Sequence, residues 1–394
     1  MSRINFLNHM PDPKTPFALQ QPAQPLQGLV ILDLTRFFPG AVATMILKRF
    51  GAEVIKIERP GDGDPGRHVP GLSWLFAETN RGKKSLAINL KHQRGKELFC
   101  RLASCADVLI ESFRPGVMTR LGIGYDDLSP QNKRLIYAAL SGYGQSGQFA
   151  GLAGHDINYI AMSGLLELIS PSADCPILPE LQIADVAGGA SPALVGILLA
   201  LRERDITGRG QRVDVSMVGE LAKLLTVPLA ALRSSGRSLH RGKELLSGAY
   251  ACYHLYRAKD GKWLVVGALE EKFWSTLCRQ IGRPDLIADQ FSPDPRQCEV
   301  KQILSSVFMT RTAEEWFELL RNYDCCVTPV RTLEEADAEG RFDSREFGIG
   351  SMNAGRSAEK AAVPKIGEHS IEVLKRFGVP ESELLILQKE EVIT

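Results

Sequence analysis

Three places in the sequence set a titratable side chain beside a turn or helix start, where it can reach a reacting carbon. The first is Gly154-His155-Asp156-Ile157-Asn158-Tyr159, an imidazole at a glycine-initiated helix start whose free N–H groups can stabilise an anion. The second is Asp185 in Ile183-Ala184-Asp185-Val186-Ala187-Gly188-Gly189, an acid between apolar residues at the start of a long helical stretch. The third is Glu270 in Val266-Gly267-Ala268-Leu269-Glu270, which follows a strand-like run and opens a helix. Side chains of these types move protons to and from substrates. Each also has a plainer use. A His–Asp pair enters structural hydrogen-bond networks, an aspartate caps a helix, and a glutamate at a helix start is favoured by the dipole. Read singly, the plainer uses are the stronger.

The elements that must position these residues are legible from periodicity. Strands are expected at Leu29–Leu34, Glu53–Glu58, Asp107–Glu111 and Leu135–Ser141, with helices at Ala41–Phe50 and Gln93–Ala103 between them. That alternation reads as an α/β chain with a Rossmann-like large domain. The turn after the first strand, Thr35-Arg36-Phe37-Phe38-Pro39-Gly40, lacks the glycine fingerprint of dinucleotide binding, which disfavours NAD. Helices are expected at Ala187–Arg204 and Val213–Leu232. Ala251–Tyr256 and Trp263–Val266 flank Lys259-Asp260-Gly261 as a hairpin opening a smaller α+β domain, and Ser370–Phe377 reads as a helix ended by Gly378. The expected divisions are a mobile arm (1–26), a large domain (27–224), a linker (225–246), a small domain (247–331), a second linker (332–356) and a C-terminal segment returning to the large domain (357–394).

Composition narrows the classes. The 394 residues carry a net charge of +1, so wholesale binding to nucleic acid or to an anionic membrane is not expected. Eight scattered cysteines, two of them adjacent at Cys325-Cys326, read as reduced thiols, and no Cys/His spacing suggests a metal. The uninterrupted apolar run Ala193–Leu201 is too short to cross a bilayer, and no signal sequence opens the chain. A soluble cytoplasmic protein is expected.

Taken together, the motifs carry a resemblance. The run from Ile136-Tyr137 through Leu140-Ser141-Gly142-Tyr143-Gly144-Gln145-Ser146-Gly147, then Gly154–Tyr159 and Ser163-Gly164, resembles the α-methylacyl-CoA racemases of the family III CoA-transferase (CaiB/BaiF-type) superfamily. So do Ala184-Asp185 before Gly188-Gly189, Thr207-Gly208 through Gln211, and Gly267-Ala268-Leu269-Glu270. The resemblance runs from about Leu26 to Phe377. It implies that His155, paired with Glu270, is the acid/base on one face of the α-carbon of an acyl-CoA thioester, and that Asp185 serves the other. Inverting a C–H centre through an enolate needs two such groups and donors for the oxyanion, here expected from backbone N–H groups around Asp156 and Asp185. The implied CoA and substrate contacts are Arg59, Leu86, Ala87, Ile88, Asn89, Arg114, Gly154, Asp156, Ile157, Asn158 and Tyr159, with Lys83 and Lys84 on phosphate. No separate cofactor is implied, since CoA is part of the substrate. An interlocked homodimer is implied, with Glu270 reaching His155 across the subunit boundary.

The sequence departs from the racemase pattern in three places. Leu181 stands where an Asn precedes the catalytic Asp, Gly248-Ala249-Tyr250-Ala251-Cys252-Tyr253 replaces a Gly-Gly-Ala-Pro motif, Asp62–Glu78 is longer, and Phe76-Ala77-Glu78-Thr79-Asn80-Arg81 is similar to the transferase branch. The rival reading is therefore a family III CoA-transferase with Asp185 as the nucleophile. Against it, Arg237–Gly248 lacks the glycine run that covers the intermediate in several transferases. A CoA-binding protein without catalysis is a third reading, which the set His155, Asp185 and Glu270 opposes.

Overall fold

The computed structural model describes residues 24–170, 175–236, 239–240, 242–340 and 361–394. Most of the expected N-terminal arm and the part of the 332–356 linker beyond 340 lie outside them. The described chain divides into two compact units, one built from 24–141, 189–215 and 361–394, the other from 142–188 and 216–340. This division does not coincide with a 27–224 large domain, because 142–188 and 216–224 group with the later residues.

The first unit holds a six-stranded sheet of β1 (Val30–Leu34), β2 (Glu53–Glu58), β3 (Lys84–Ala87), β4 (Val108–Glu111), β5 (Ile136–Ser141) and β6 (Arg212–Ser216), in the order β3-β2-β1-β4-β5-β6. The β1–β2, β1–β4, β2–β3 and β4–β5 pairs are parallel. Every residue of β4 and β5 is buried, as strands covered on both faces require. The helix Gln93–Cys105 places Leu98, Phe99 and Leu102 on the core formed by Leu32, Ile55, Leu86 and Leu109. The C-terminal helices Ser370–Arg376 and Glu381–Lys389 complete that core with Val373, Leu374 and Leu387, and Ile393 bridges to Ile88. Strand order reverses between β1 and β4, the switch point outside whose carboxyl ends open α/β sheets bind ligands.

One expected helix is corrected. Arg212–Ser216 is a strand, and helix proper resumes only at Met217–Glu220 and Thr226–Ser235. The Tyr137 N–H donates to the Gln211 carbonyl at 2.9 Å, which captures the chain on the β5 edge. Gly210 makes that possible: a Cβ there would fall 2.1 Å from the Leu135 carbonyl oxygen. The β-branched Val213 and Val215 then suit a strand. Ahead of it, the stretch expected from Ala187 begins as a π-helical turn, Ala184–Ala190, before the α-helix Ser191–Thr207. Together these form a 24-residue helical run with an 18-residue window of mean hydropathy 1.7, long and apolar enough by length and composition to cross a bilayer, a test that core helices of soluble proteins also pass.

In the second unit, β7 (Tyr253–Arg257), β8 (Trp263–Gly267) and β9 (Val327–Pro329) form an antiparallel sheet, with β7 and β8 joined through Lys259-Asp260-Gly261. The helices Glu271–Gln280, Arg296–Phe308 and Ala313–Leu320 pack Trp274, Phe308 and Trp316 against Tyr256 and Leu264.

Candidate active site

His155, Asp156, Asp185 and Glu270 all fall in the second unit. His155 is the N-cap residue of the helix Asp156–Met162, in extended conformation. Its backbone N–H donates to Asn158 Oδ1 at 3.0 Å, and its carbonyl accepts from the Asn158 N–H at 2.8 Å, so Asn158 closes the helix start. The imidazole is exposed and, among the described residues, has no hydrogen-bond partner, so the structural use of this histidine is not the one adopted. Tyr159 holds the approach to it. Its hydroxyl donates to the Gly154 carbonyl at 2.5 Å, and its ring lies so close to the chain that a Cβ at Gly142 or Gly154 would fall 2.2 or 2.7 Å from Cε1. Both glycines are required by this close approach.

Asp185 is not the cap of its own helix. Asp156 takes that role: its Oδ1 accepts the Asp185 N–H at 2.9 Å, while the Ile183 N–H donates to the Leu181 carbonyl at 3.1 Å. The expected oxyanion donors are thereby redistributed. The Asp185 N–H is consumed by Asp156, whereas the N–H groups of Asp156 and Ile157 have no acceptor among the described residues and point out of a helix N-terminus. The Asp156 side chain is likewise committed to the backbone. The Asp185 carboxyl accepts no hydrogen bond among the described residues. Burial, and then the like charge of Asp156, push it up to about 7. Gly188 lets this helix start approach the Met217 turn, where a Cβ would meet the Met217 carbonyl oxygen at 2.6 Å.

Glu270 is the N-cap residue of the helix Glu271–Gln280, yet its carboxylate makes no cap hydrogen bond. The turn that presents it is fixed from behind: Gln290 Nε2 donates to the Ala268 and Leu269 carbonyls, and the Gly267 N–H donates to Cys326. No hydrogen bond or ion pair joins Glu270 to His155 within the chain among the described residues.

The residues expected on CoA separate into two groups. Arg59 and Arg114, both exposed, follow the carboxyl ends of β2 and β4, where a phosphate ligand of an open α/β sheet is bound. Arg59 pairs with Asp62. Leu86, Ala87 and Ile88 are buried in the core, with the Ala87 and Ile88 N–H groups given to Ser370 Oγ and the Glu58 carbonyl, so their side chains cannot contact a ligand. Asn89 is turned to local use as well, its N–H on the Val392 carbonyl and its Oδ1 accepting from the Lys91 N–H. Lys83 and Lys84 are also corrected: Lys83 is buried on Asp33, and Lys84 pairs with Glu53 and Glu372. Arg36 was not among the expected contacts. It lies at the switch point, its N–H donating to Ser112 Oγ at 2.8 Å and its guanidinium over the Phe113 ring, and it is near enough to Arg59 to feel that charge. Its position directly after the first strand was the available signal.

Asp156 thus links the helix start of exposed His155 to the helix start of Asp185. All eight cysteines are free thiols, and no group of His, Cys, Asp and Glu among the described residues is arranged to hold a metal. Comparison with known proteins agrees with acyl-CoA chemistry. Residues 26–373 match the family described as CoA-transferase family III. The chain is 37% identical over 382 residues to α-methylacyl-CoA racemase of Homo sapiens, covering 93% of this chain and 97% of that one. It is 30% identical to the succinyl-CoA:glutarate CoA-transferase of Homo sapiens, covering 89% and 86%. The crystal structure of a hypothetical protein from Mycobacterium tuberculosis superposes with a TM-score of 0.79 at 30% identity, covering 90% of this chain and all of that one. With a family match over most of its length and relatives on both the racemase and the transferase side, the chain belongs to CoA-transferase family III.

Proposed function

We propose that this enzyme is an α-methylacyl-CoA racemase, exchanging the proton at C2 of a 2-methylacyl-CoA between two faces through an enolate. In one direction neutral His155 removes the C2 proton, the enolate oxygen is held by the N–H groups of Asp156 and Ile157, and the Asp185 carboxyl returns a proton to the opposite face. In the other direction the Asp185 carboxylate is the base and the imidazolium the acid. The observation that carries this reading is the Asp185 carboxyl, which has no donor among the described residues and is pushed up to about 7 by burial and by Asp156. A group that exchanges protons near neutrality is the ideal acid/base at that pH, whereas a carboxylate nucleophile works ionised. We assign CoA phosphate contacts to Arg59 and Arg114, joined by Arg36. The functional form is an interlocked homodimer in which Glu270 of one copy orients His155 of the other, an arrangement supported by the unused Glu270 carboxylate and by exposed apolar residues such as Leu178 and Leu199.

The test is incubation with a panel of branched acyl-CoAs in deuterated water. Deuterium at C2 of both epimers is expected. An enzyme that exchanges no C2 hydrogen but moves CoA between carboxylic acids would overturn the reading. Transfer is the second reading, favoured by relatives named as CoA-transferases at 30–32% identity. There an Asp185–CoA thioester forms, and hydroxylamine or borohydride trapping would find the adduct by mass spectrometry.

A further inference from the structure

The chain separation between Asp156 and Asp185 is 29 residues, yet one carboxylate joins them. Asp156 belongs to the helix start that carries His155, and its side chain reaches the start of the helical run that carries Asp185. It accepts from the Asp185 N–H itself at 2.9 Å. Such a carboxylate fixes both the direction of the receiving helix start and the side chain leaving it. We infer that Asp156 is the positioning residue for Asp185, a carboxylate that ties the second acid/base to the helix start bearing the first and imposes its negative charge on it.

The inference deepens the racemase reading and rests on it for the word acid/base. The geometry itself does not. Two carboxylates are set side by side with different surroundings: Asp156 accepts the Asp185 N–H, and no donor among the described residues reaches the Asp185 carboxyl. Burial raises both acids, and the backbone hydrogen bond that Asp156 accepts works against that push, a relief that Asp185 lacks among the described residues. Asp156 is the one charged group that acts on Asp185 among the described residues, and burial supplies the rest of the upward push.

The experiment is a carboxyl carbon-13 NMR titration of the full-length protein, with Asp185 assigned by its loss in Asp185→Asn. In the wild type the Asp156 resonance should show a second inflection at the Asp185 midpoint, because the two charges are coupled. In Asp156→Asn, and in Asp156→Ser, which keeps one acceptor for the helix N–H groups but no charge, the Asp185 midpoint should fall by about one pH unit. Asp156→Glu, which keeps the charge, should return the midpoint most of the way. An Asp156 resonance blind to Asp185 in the wild type, or an Asp185 midpoint unmoved in the folded variants, would overturn the inference. The titration needs no substrate, so a shifted midpoint in an enzyme that proves to be a transferase would sink the racemase reading and leave this one standing. In an active racemase, the pH at which exchange on the Asp185 face reaches half its maximum should move down with the NMR midpoint. A uniform fall in rate with no pH shift would mark Asp156 as merely structural.

Discussion

The Asp33–Lys83 cluster of the first unit and Asp185 of the second treat buried charge in opposite ways. In the first, Lys83 sits fully buried with its ammonium donating to Asp33 Oδ2 at 3.1 Å, Thr44 Oγ1 at 2.7 Å, Asn80 Oδ1 at 2.9 Å and the Ala41 carbonyl at 3.2 Å. Asp33 accepts in turn from the Thr35 N–H and hydroxyl and from Thr44. Lys56, paired with Asp64 at 2.7 Å, extends the network, and Arg67 grips Glu58 with two bonds of 2.6 and 2.7 Å. In the second unit Asp185 is also largely buried, but no donor among the described residues satisfies it. A charge surrounded by partners holds a fold together. A carboxyl deprived of them is available for chemistry and costs stability when ionised. The physical consequence appears in the two aspartates: burial alone would raise Asp33, but the Lys83 and Lys56 ammoniums and the two threonine hydroxyls hold it at about 2, while Asp185 stands at about 7.

The largest expected effect breaks the first half of the comparison. Lys83→Met removes a buried cation and leaves the Asp33 carboxylate, with Thr44 and Asn80, without it. Breaking one partner of a buried ion pair costs about 3–5 kcal/mol. Chemical denaturation should show that loss, with the folded fraction giving nearly unchanged turnover per site. A variant as stable as the wild type would mean that the saturated network is not what holds the sheet and its flanking residues together. Acid should act on the same place. The folded Asp33 acid is stronger than the unfolded one, so its stabilising contribution is complete above the unfolded value of 3.8 and is lost as pH falls toward about 2.

The second prediction inverts the first. Asp185→Asn should lower racemisation by ~10²–10⁴-fold if Asp185 is an acid/base. Its stability should nevertheless rise. The folded carboxyl is a weaker acid than the unfolded one, so between 3.8 and about 7 the native state holds a proton that the unfolded chain has released, and stability declines across that window. Above it the ionised, uncompensated Asp185 costs about 2–4 kcal/mol. Replacing it with a neutral isostere removes the cost. Thermal unfolding at pH 4 and pH 8 should show little difference between the two proteins at pH 4 and a more stable variant at pH 8. A variant less stable than the wild type at both pH values would mean that Asp185 has a structural partner.

The same contrast explains how much was legible in the sequence. Strands β1, β2, β4 and β5 are short apolar runs bounded by turn residues, and the periodicity that marks them is local. The hairpin at Lys259-Asp260-Gly261 is local as well. The motif that places His155 at a helix start needs no more than six consecutive residues, two of them glycine and tyrosine held together. What escaped is whatever depends on a distant partner. Lys83 read as a phosphate contact because Asp33 is 50 residues away, and Leu86 to Ile88 read as ligand contacts because the C-terminal helices that bury them lie almost 300 residues on. Val213–Ser216 read as helix because its strand character is imposed by the edge of β5. The cap on Asp185 was assigned to Asp185 itself for the same reason: only the fold brings Asp156 to it.

The smallest effect sharpens the other end of the comparison, the positioning of His155. Tyr159→Phe deletes a single hydroxyl, the one that donates to the Gly154 carbonyl at 2.5 Å, and leaves the ring that Gly142 and Gly154 accommodate. A neutral hydrogen bond of this kind contributes about 1 kcal/mol. Global stability should therefore fall by no more than that. The effect on catalysis should be of similar size but directional, because the hydroxyl fixes the backbone immediately before His155. Deuterium incorporation on the His155 face should slow several-fold while incorporation on the Asp185 face is maintained. Equal slowing on both faces would show that Tyr159 stiffens the whole unit, and that the His155 turn has no separate support.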